Sequence, residues 1–355
     1  MTLFSLILSN SASQAGYLDF WKTEIGNHTI TSWINDGLMA IFFLLIGLEL
    51  EREIYMGELS NLRKASLPIF AAAGGMMIPA TVYILFNSGT TYQSGAGIPM
   101  ATDIAFAIGI LSLLGDRVPV SLKIFLTALA VIDDMGAIIV IAIFYTGTID
   151  LVYLLGALSI FIVLIILNKA RVNSLLIYLS GGIAIWFLLL NSGVHATLAG
   201  VMLAFAIPFG NGDERSPSFR MHHYLHKPVA FIVLPLFALA NTAISFDGNF
   251  FNDLVQPYAL GIMAGLIAGK PLGIFLFSRL AVWARISERP DDISWLEIAG
   301  IGFLGGIGFT MSIFILLLAF DNNEIVNNAK AAILTGSLIS GITGYILLKS
   351  SLRSR

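Results

Sequence analysis

Long apolar stretches alternate with short polar connections along almost the entire chain. A helix rises about 1.5 Å per residue, so roughly 20 apolar residues cross a hydrocarbon layer about 30 Å thick. We therefore predict an all-α polytopic membrane protein with about 12 transmembrane helices, the first of them truncated to a short apolar segment at 3–9. The eleven full-length stretches lie near residues 32–54, 66–87, 98–115, 121–145, 150–168, 174–191, 194–209, 227–246, 257–283, 296–320 and 329–349.

The composition agrees with this interpretation, because 57% of residues are hydrophobic and only 12% are charged, against about 25% charged in soluble domains. The connections are too short for a soluble domain, so we predict one membrane domain, 1–355, surrounded by lipid. The chain has no cysteine, which excludes disulfides, thiolate metal sites and thiol catalysis. A net charge of −3 gives no support for a nucleic-acid partner, and we expect none.

The distribution of Lys and Arg predicts the orientation. If the connection at 52–65 faces the cytoplasm and sides alternate, sixteen of the nineteen basic residues lie inside, whereas only Lys22 and Lys330 lie outside. The remaining one, Lys270, falls within a span. Cytoplasmic connections carry an excess of Lys and Arg, so this asymmetry predicts a cytoplasmic C-terminus.

Two adjacent carboxylates, Asp133 and Asp134, lie at the middle of the stretch at 121–145. One ionised Asp at the bilayer centre costs roughly 2.5–3.5 kcal/mol, and two neighbours also repel each other. We expect them to bind a cation, a proton, or both in turn. The alternative is a purely structural hydrogen-bonding pair.

Two spans carry features that interrupt helices. Pro99, Thr102 and Asp103 interrupt one span, and five glycines weaken another at 300–308, next to Thr310 and Ser312. Such breaks in two halves of a chain indicate an inverted-repeat transporter, with repeats at about 66–145 and 257–349. Asp103 could balance the positive helix N-termini at the breaks and Lys270 the negative C-termini. Lys270 could instead be purely structural, and the glycines could serve only close helix packing.

The other ionisable residues are more ambiguous. Asp36 lies near one end of a span, and His195 is better interpreted as a packed, hydrogen-bonded histidine than as a ligand. His222, His223 and His226 are predicted in a loop at the cytoplasmic face, as a solvated cluster or as a pH sensor.

The sequence gives little support for an enzymatic function. Gly269-Lys270-Pro271 does not end a phosphate-binding loop, and neither G-x-S-x-G nor H-E-x-x-H occurs. An intramembrane aspartyl protease would need Gly-x-Gly-Asp, whose nearest counterpart, ending at Asp116, lacks the first glycine. We therefore predict neither enzymatic activity nor a cofactor. A sodium-coupled symporter stays open, although it should add a polar or aromatic pocket beside the acids.

Six segments together resemble the NhaA-type sodium/proton antiporters of bacterial inner membranes, from about residue 32 to the C-terminus. The inverted-repeat architecture has this family among its standard examples, so the two observations are not independent. The segments are FFLLIGLELERE at 42–53, PMATDIAF at 99–106, ALAVIDDMGA at 128–137, GVHATLAG at 193–200, GKPLG at 269–273 and GIGFTMS at 306–312.

The resemblance implies a transport site and a regulatory site. Asp134 and Asp133 would bind Na⁺, and Thr102 and Asp103 would lie at the crossing of the interrupted helices. Lys270 would neutralise helix ends or pair with Asp133 and alternately bind a proton. The family exchanges two protons for one Na⁺, usually also carries Li⁺, and is commonly activated at alkaline pH. The positions tied to that pH response match Glu49, Arg52, Glu53 and His223.

Two departures from the family pattern concern the N-terminal region. Family members usually begin with a full first span, whereas this chain begins with about half of one. The connection at 11–31 also looks shorter than the family's external loop, which often forms a β-hairpin that pairs two subunits. A homodimer is therefore an open prediction.

Overall fold

A computed structural model describes residues 1–26, 28–244 and 250–353. In chain order its α-helices are α1 (Thr2–Ser9), α2 (Gln14–Lys22), α3 (Ile30–Ser32), α4 (Met39–Tyr55), α5 (Leu62–Asn87), α6 (Ile104–Ser112), α7 (Val120–Phe144), α8 (Leu151–Lys169), α9 (Leu175–Leu190), α10 (Leu198–Ala206), α11 (Pro217–Pro228), α12 (Leu234–Asn241), α13 (Phe250–Leu254), α14 (Pro257–Ala264), α15 (Lys270–Trp283), α16 (Trp295–Gly305), α17 (Phe309–Ala319) and α18 (Asn323–Arg353).

Tighter and wider helical turns connect several of these helices. Wide π-helical turns occupy Trp33–Leu38, Val229–Val233 and Gly265–Gly269, and 3₁₀ turns occupy Glu58–Ser60, Thr91–Met100 and Gly115–Arg117. The strands β1 (Glu24–Ile25) and β2 (His28–Thr29) pair antiparallel, with Glu24 opposite Thr29. The connection at 11–31 thus contains a helix and a minimal hairpin, and dimerisation through it stays a prediction.

Eight helical spans among the described residues are long and apolar enough to cross a membrane, and the bent pair α16–α17 makes a ninth. The predicted multi-pass helical membrane fold is thereby confirmed. The three other predicted segments are helices of only 16, 9 and 8 residues, namely α9, α10 and α1. The difference from about 12 spans is therefore one of helix length, because hydropathy cannot show where backbone hydrogen bonding stops.

The chain forms two compact units, each built from two separate segments. Unit 1 comprises residues 1–57 and 138–245, and unit 2 comprises 58–137 and 246–355. Both predicted repeats fall mostly within unit 2, and their inverted relation stays a prediction.

Small residues set the helix spacing inside each unit. In unit 1, a Cβ on Gly200 of α10 would lie 2.1 Å from the carbonyl oxygen of Ala40 in α4. In unit 2, a Cβ on Gly74 of α5 would lie 2.2 Å from the carbonyl oxygen of Gly273 in α15. A Cβ on Gly273 would in turn lie 2.1 Å from the carbonyl oxygen of Gly74. Only glycine allows such close backbone contact, which is how helices pack when water supplies no driving force.

The prediction that His222, His223 and His226 lie in a loop is wrong, because all three lie on α11. The Ser216 side chain accepts a hydrogen bond from the backbone N–H of Phe219, and Pro217 occupies the first helical turn. This capping starts a helix ten residues before the apolar stretch predicted at 227–246. Pro228, which lacks an N–H, is followed by the π turn that leads into α12.

Candidate functional site

Two interrupted helices in unit 2 form the frame of the candidate site. The first runs as the 3₁₀ helix Thr91–Met100, then non-helical residues 101–103, then α6. The second runs as α16, a short break at 306–308 and α17, with a bend of 47° between the two helices. Both breaks occur where the sequence predicts them, beside Pro99 and within the glycine run.

The two breaks hydrogen-bond to each other. The Asp103 N–H donates to the Ile307 carbonyl at 2.6 Å, and the Thr102 hydroxyl donates to the Gly305 carbonyl at 2.9 Å. The Ser312 hydroxyl donates to the Ile98 carbonyl at 2.6 Å. Backbone groups that a helix break leaves unpaired are costly in a membrane, so each break stabilises the other.

The Asp103 carboxylate serves two helix N-termini at once. One oxygen accepts the Phe106 N–H at the start of α6, at 3.2 Å. The other accepts the Thr310 N–H at the start of α17, at 3.1 Å, and the Thr310 hydroxyl donates to the same oxygen. A negative charge between two positive helix ends is favourable, which explains how Asp103 can be only 3% exposed.

Lys270 brings a positive charge to a helix C-terminus, whereas Asp103 brings a negative charge to two N-termini. Its Nζ lies 2.5 Å from Oδ2 of Asp133 and donates to the Met100 carbonyl, at the C-terminal end of the 3₁₀ segment. Lys270 and Asp133 are each 1% exposed. A π-helical turn, Gly265–Gly269, immediately precedes Lys270, and such turns are frequent at functional sites.

Asp134 and Thr102 complete the cluster. Asp134 is 1% exposed and interacts electrostatically with Lys270, and Thr102 lies against the Asp133 carboxylate. With Asp103, the site holds three buried carboxylates against one ammonium group. If all four were ionised, the excess negative charge would favour a cation, and oxygen ligands suit a hard ion.

The glycine run combines both roles considered from sequence. It contains the helix break, and it also packs closely, because a Cβ on Gly306 would lie 2.3 Å from the Leu266 carbonyl oxygen. Lys270 likewise has a structural contact, its ion pair with Asp133, which does not exclude a transport role.

The four predicted pH-response residues lie in unit 1, on α4 and α11. Nε2 of His222 lies 3.4 Å from Oε1 of Glu49. The rings of Phe219 and His223 stack with centroids 6.5 Å apart, and the Arg52 guanidinium lies 5.9 Å from the Phe219 centroid. Glu53, also on α4, has its carboxylate beside the backbone of Gly57.

Two interactions, one in each unit, were not predicted from the sequence. Glu51 is 4% exposed and accepts a hydrogen bond from the Ser218 hydroxyl at 3.0 Å. Its place between Glu49 and Glu53 was the only sequence signal, and it did not distinguish a buried acid from exposed ones. The Thr310–Asp103 bond in unit 2 was also missed, because its two residues lie 207 positions apart in the sequence.

His195 agrees with the packed interpretation, since its Nε2 lies 2.6 Å from the Tyr145 carbonyl oxygen. The same histidine interacts electrostatically with Asp36 within unit 1.

Comparison with known proteins gives consistent similarities over the whole chain. A sequence profile of the family described as Na⁺/H⁺ antiporter 1 matches residues 1–348. The chain is 61% identical over 353 residues to the Na(+)/H(+) antiporter NhaA of Flavobacterium psychrophilum, covering 99% of this chain and 92% of the relative. It is 57% identical over 352 residues to the protein of the same name from Cytophaga hutchinsonii, covering 99% and 91%.

Proposed function

Because the chain belongs to the Na⁺/H⁺ antiporter 1 family, a family of transporters and not of enzymes, we propose that it exchanges Na⁺ for H⁺. The observation that carries the proposal is the buried cluster of Asp103, Asp133, Asp134 and Lys270 at the crossing of two interrupted helices. We place the protein in a bacterial inner membrane with its C-terminus in the cytoplasm, in accord with the Lys and Arg asymmetry.

Competition for the same carboxylates provides the coupling. Na⁺ binds Asp133 and Asp134, with Thr102 and Asp103 beside them at the crossing. An incoming Na⁺ takes the place of the Lys270 ammonium on Asp133, so Lys270 gives up its proton. Asp134 gives up a second proton to become a ligand. When Na⁺ leaves, both groups take up protons and the Lys270–Asp133 pair forms again.

This scheme exchanges two protons for one Na⁺. The protonated site holds neutral Asp134 and a Lys270–Asp133 ion pair, whereas the loaded site holds two carboxylates, one Na⁺ and neutral Lys270. Each cycle therefore moves one net positive charge inward as Na⁺ leaves the cell. A membrane potential supplies about 2.3 kcal/mol per charge per 100 mV in that direction, so it drives Na⁺ export.

Two further properties belong to the same proposal. Li⁺ is smaller than Na⁺ but has the same charge and preference for oxygen, so we expect it to be carried as well. Glu49, Arg52, Glu53 and His223 would regulate transport with pH and increase it under alkaline conditions. Histidine is the side chain whose ordinary titration lies closest to neutral pH, which supports this role for the α11 face.

The test uses everted membrane vesicles from cells that lack their own sodium exporters. Energised vesicles receive NaCl, LiCl or KCl between about pH 6.5 and 8.5 while a dye reports the proton gradient. We expect Na⁺ and Li⁺, but not K⁺, to dissipate the gradient.

The variant Asp134→Asn should abolish this response, and the exposed Asp116→Asn is the matched control that should retain it. Normal transport by Asp134→Asn would refute the two-carboxylate mechanism. A lack of response in inserted wild-type protein at every pH would refute antiport itself.

A further inference from the structure

A second group of ligating side chains lies on α4 and α11 in unit 1. Glu49, His222 and His226 each present one ligand atom, and these three atoms lie within 4.8 Å of one another. His222 and His226 are four residues apart on α11, so they occupy one face of the helix. Glu49 reaches the same point from α4, and the group is the one of its kind found among the described residues.

We propose that Glu49, His222 and His226 form a binding site for a divalent metal ion of the Zn²⁺ type, which would bridge α4 and α11. This inference does not depend on the proposed exchange of Na⁺ and H⁺. Two imidazoles and one carboxylate are a ligand set that Zn²⁺ uses, with the fourth position left to water. The softer nitrogen ligands disfavour Mg²⁺ and Ca²⁺, which prefer all-oxygen sites.

The spacing of the ligand atoms supports the site. Zn²⁺ binds nitrogen and oxygen ligands at about 2.0–2.2 Å, so tetrahedral ligands lie roughly 3.4 Å apart. His222 Nε2 and Glu49 Oε1 already lie 3.4 Å apart. His226 is exposed, so a small rotation of its side chain can complete the set without repacking a core. Glu49 and His222 keep side-chain exposures of 25% and 18%, which leaves an entry path.

The neighbouring histidine provides a matched control. His223 lies next to His222 on α11, but its ring stacks on Phe219 and not with the ligand group. Arg52, the basic residue of α4, lies over that same Phe219 ring. The helix therefore presents two separate faces, one with two metal ligands and the other with an aromatic and cationic stack.

The experiment measures Zn²⁺ binding by titration calorimetry on purified full-length protein that carries no polyhistidine tag. We expect one Zn²⁺ per chain for the wild type and for His223→Ala, and no comparable binding of Mg²⁺. Removing a side chain that only hydrogen-bonds a metal ligand weakens metal binding about 10–100-fold. Removing a ligand itself, as in His222→Ala or His226→Ala, should therefore weaken Zn²⁺ binding at least about tenfold.

Absorption by bound Co²⁺ gives a second readout, because its visible spectrum reports coordination geometry. Because His226 is exposed, its variant is expected to fold even if the His222 variant does not. Three results would overturn the proposal: no Zn²⁺ binding above the level of Mg²⁺, unchanged binding in His226→Ala, or equal losses in His223→Ala and His226→Ala.

Discussion

The two groups of charged side chains differ most in their access to water. In unit 2, Asp103, Asp133 and Lys270 are between 1% and 3% exposed, and each has its partner at a helix end or in an ion pair. In unit 1, Glu49 and His222 retain about a quarter and a fifth of their side-chain exposure, and they are joined by one long contact of 3.4 Å. Buried charges depend on a fixed partner, whereas exposed charges can gain or lose one at little cost.

This difference suggests a division of roles. A site that must release its ion can do so only by substituting one buried charge for another, as Na⁺ and protons would do around Asp133. A site at the edge of water can change its charge with small energetic consequences, which suits a sensor or a metal-binding position. Substitutions in the two groups should therefore differ in their cost to stability, with the buried group the more sensitive.

Lys270→Ala should give the largest loss of stability. Removing one member of a buried ion pair leaves the Asp133 charge and the Met100 carbonyl without their partner, at a cost of about 3–5 kcal/mol. Thermal unfolding in detergent would measure the loss, with the exposed Lys123→Ala as the matched control. Equal melting temperatures for the two variants would show that the buried pair does not hold the crossing together.

Asp103→Ala should cost about 2 kcal/mol, because it removes the N-cap of α6 and the acceptor at the start of α17, each worth about 1 kcal/mol. Asp103→Asn keeps an oxygen acceptor and should lose less. Ser294→Ala removes one of the two hydrogen bonds of the capping box that starts α16, the one from the Glu297 N–H, and should lose about half as much as Asp103→Ala. The same unfolding assay applies, and a smaller loss for Asp103→Ala than for Ser294→Ala would contradict the double-cap role.

The Glu49–His222 contact should contribute less than about 1 kcal/mol, because exposed ion pairs rarely exceed that value. A double-mutant cycle with Glu49→Ala and His222→Ala would measure the coupling energy, and added salt should reduce it further. A coupling of several kcal/mol that added salt does not reduce would show that this pair behaves like the buried charges of unit 2, and the proposed difference between the two groups would be wrong.

His223→Ala should change stability by no more than about 0.5 kcal/mol, as is usual for substitutions away from a packed core. If the α11 face regulates transport, the same variant should shift the pH profile of the vesicle assay without abolishing turnover. The profile of Tyr224→Phe, a neighbouring change that adds no charge, should coincide with that of the wild type. An unchanged profile in His223→Ala would leave this histidine as a simple solvated side chain.

Much of the candidate site could be predicted from single residues. Pro99 and the glycines at 300–308 marked the two helix breaks, and the cost of placing Asp133, Asp134 and Lys270 in apolar surroundings marked all three as candidate site residues. The α11 histidines were wrongly predicted in a loop because that part of the helix is polar and hydropathy does not distinguish it from a loop. Only the N-cap at Ser216 and Pro217 indicated that a helix begins there. The Glu51–Ser218 bond was missed because it joins residues 167 positions apart.

The order of apolar and polar residues is enough to show that the chain crosses a membrane many times and that a few ionisable residues lie within its spans. Both follow from local properties, the length of apolar stretches and the cost of burying charge. Which of these groups meet depends on how the helices pack, because Asp103 and Thr310 are 207 residues apart and Lys270 and Asp133 are 137 apart. Helix ends can be satisfied by any nearby side chain, so the choice of partner depends on how the glycine-lined helices pack.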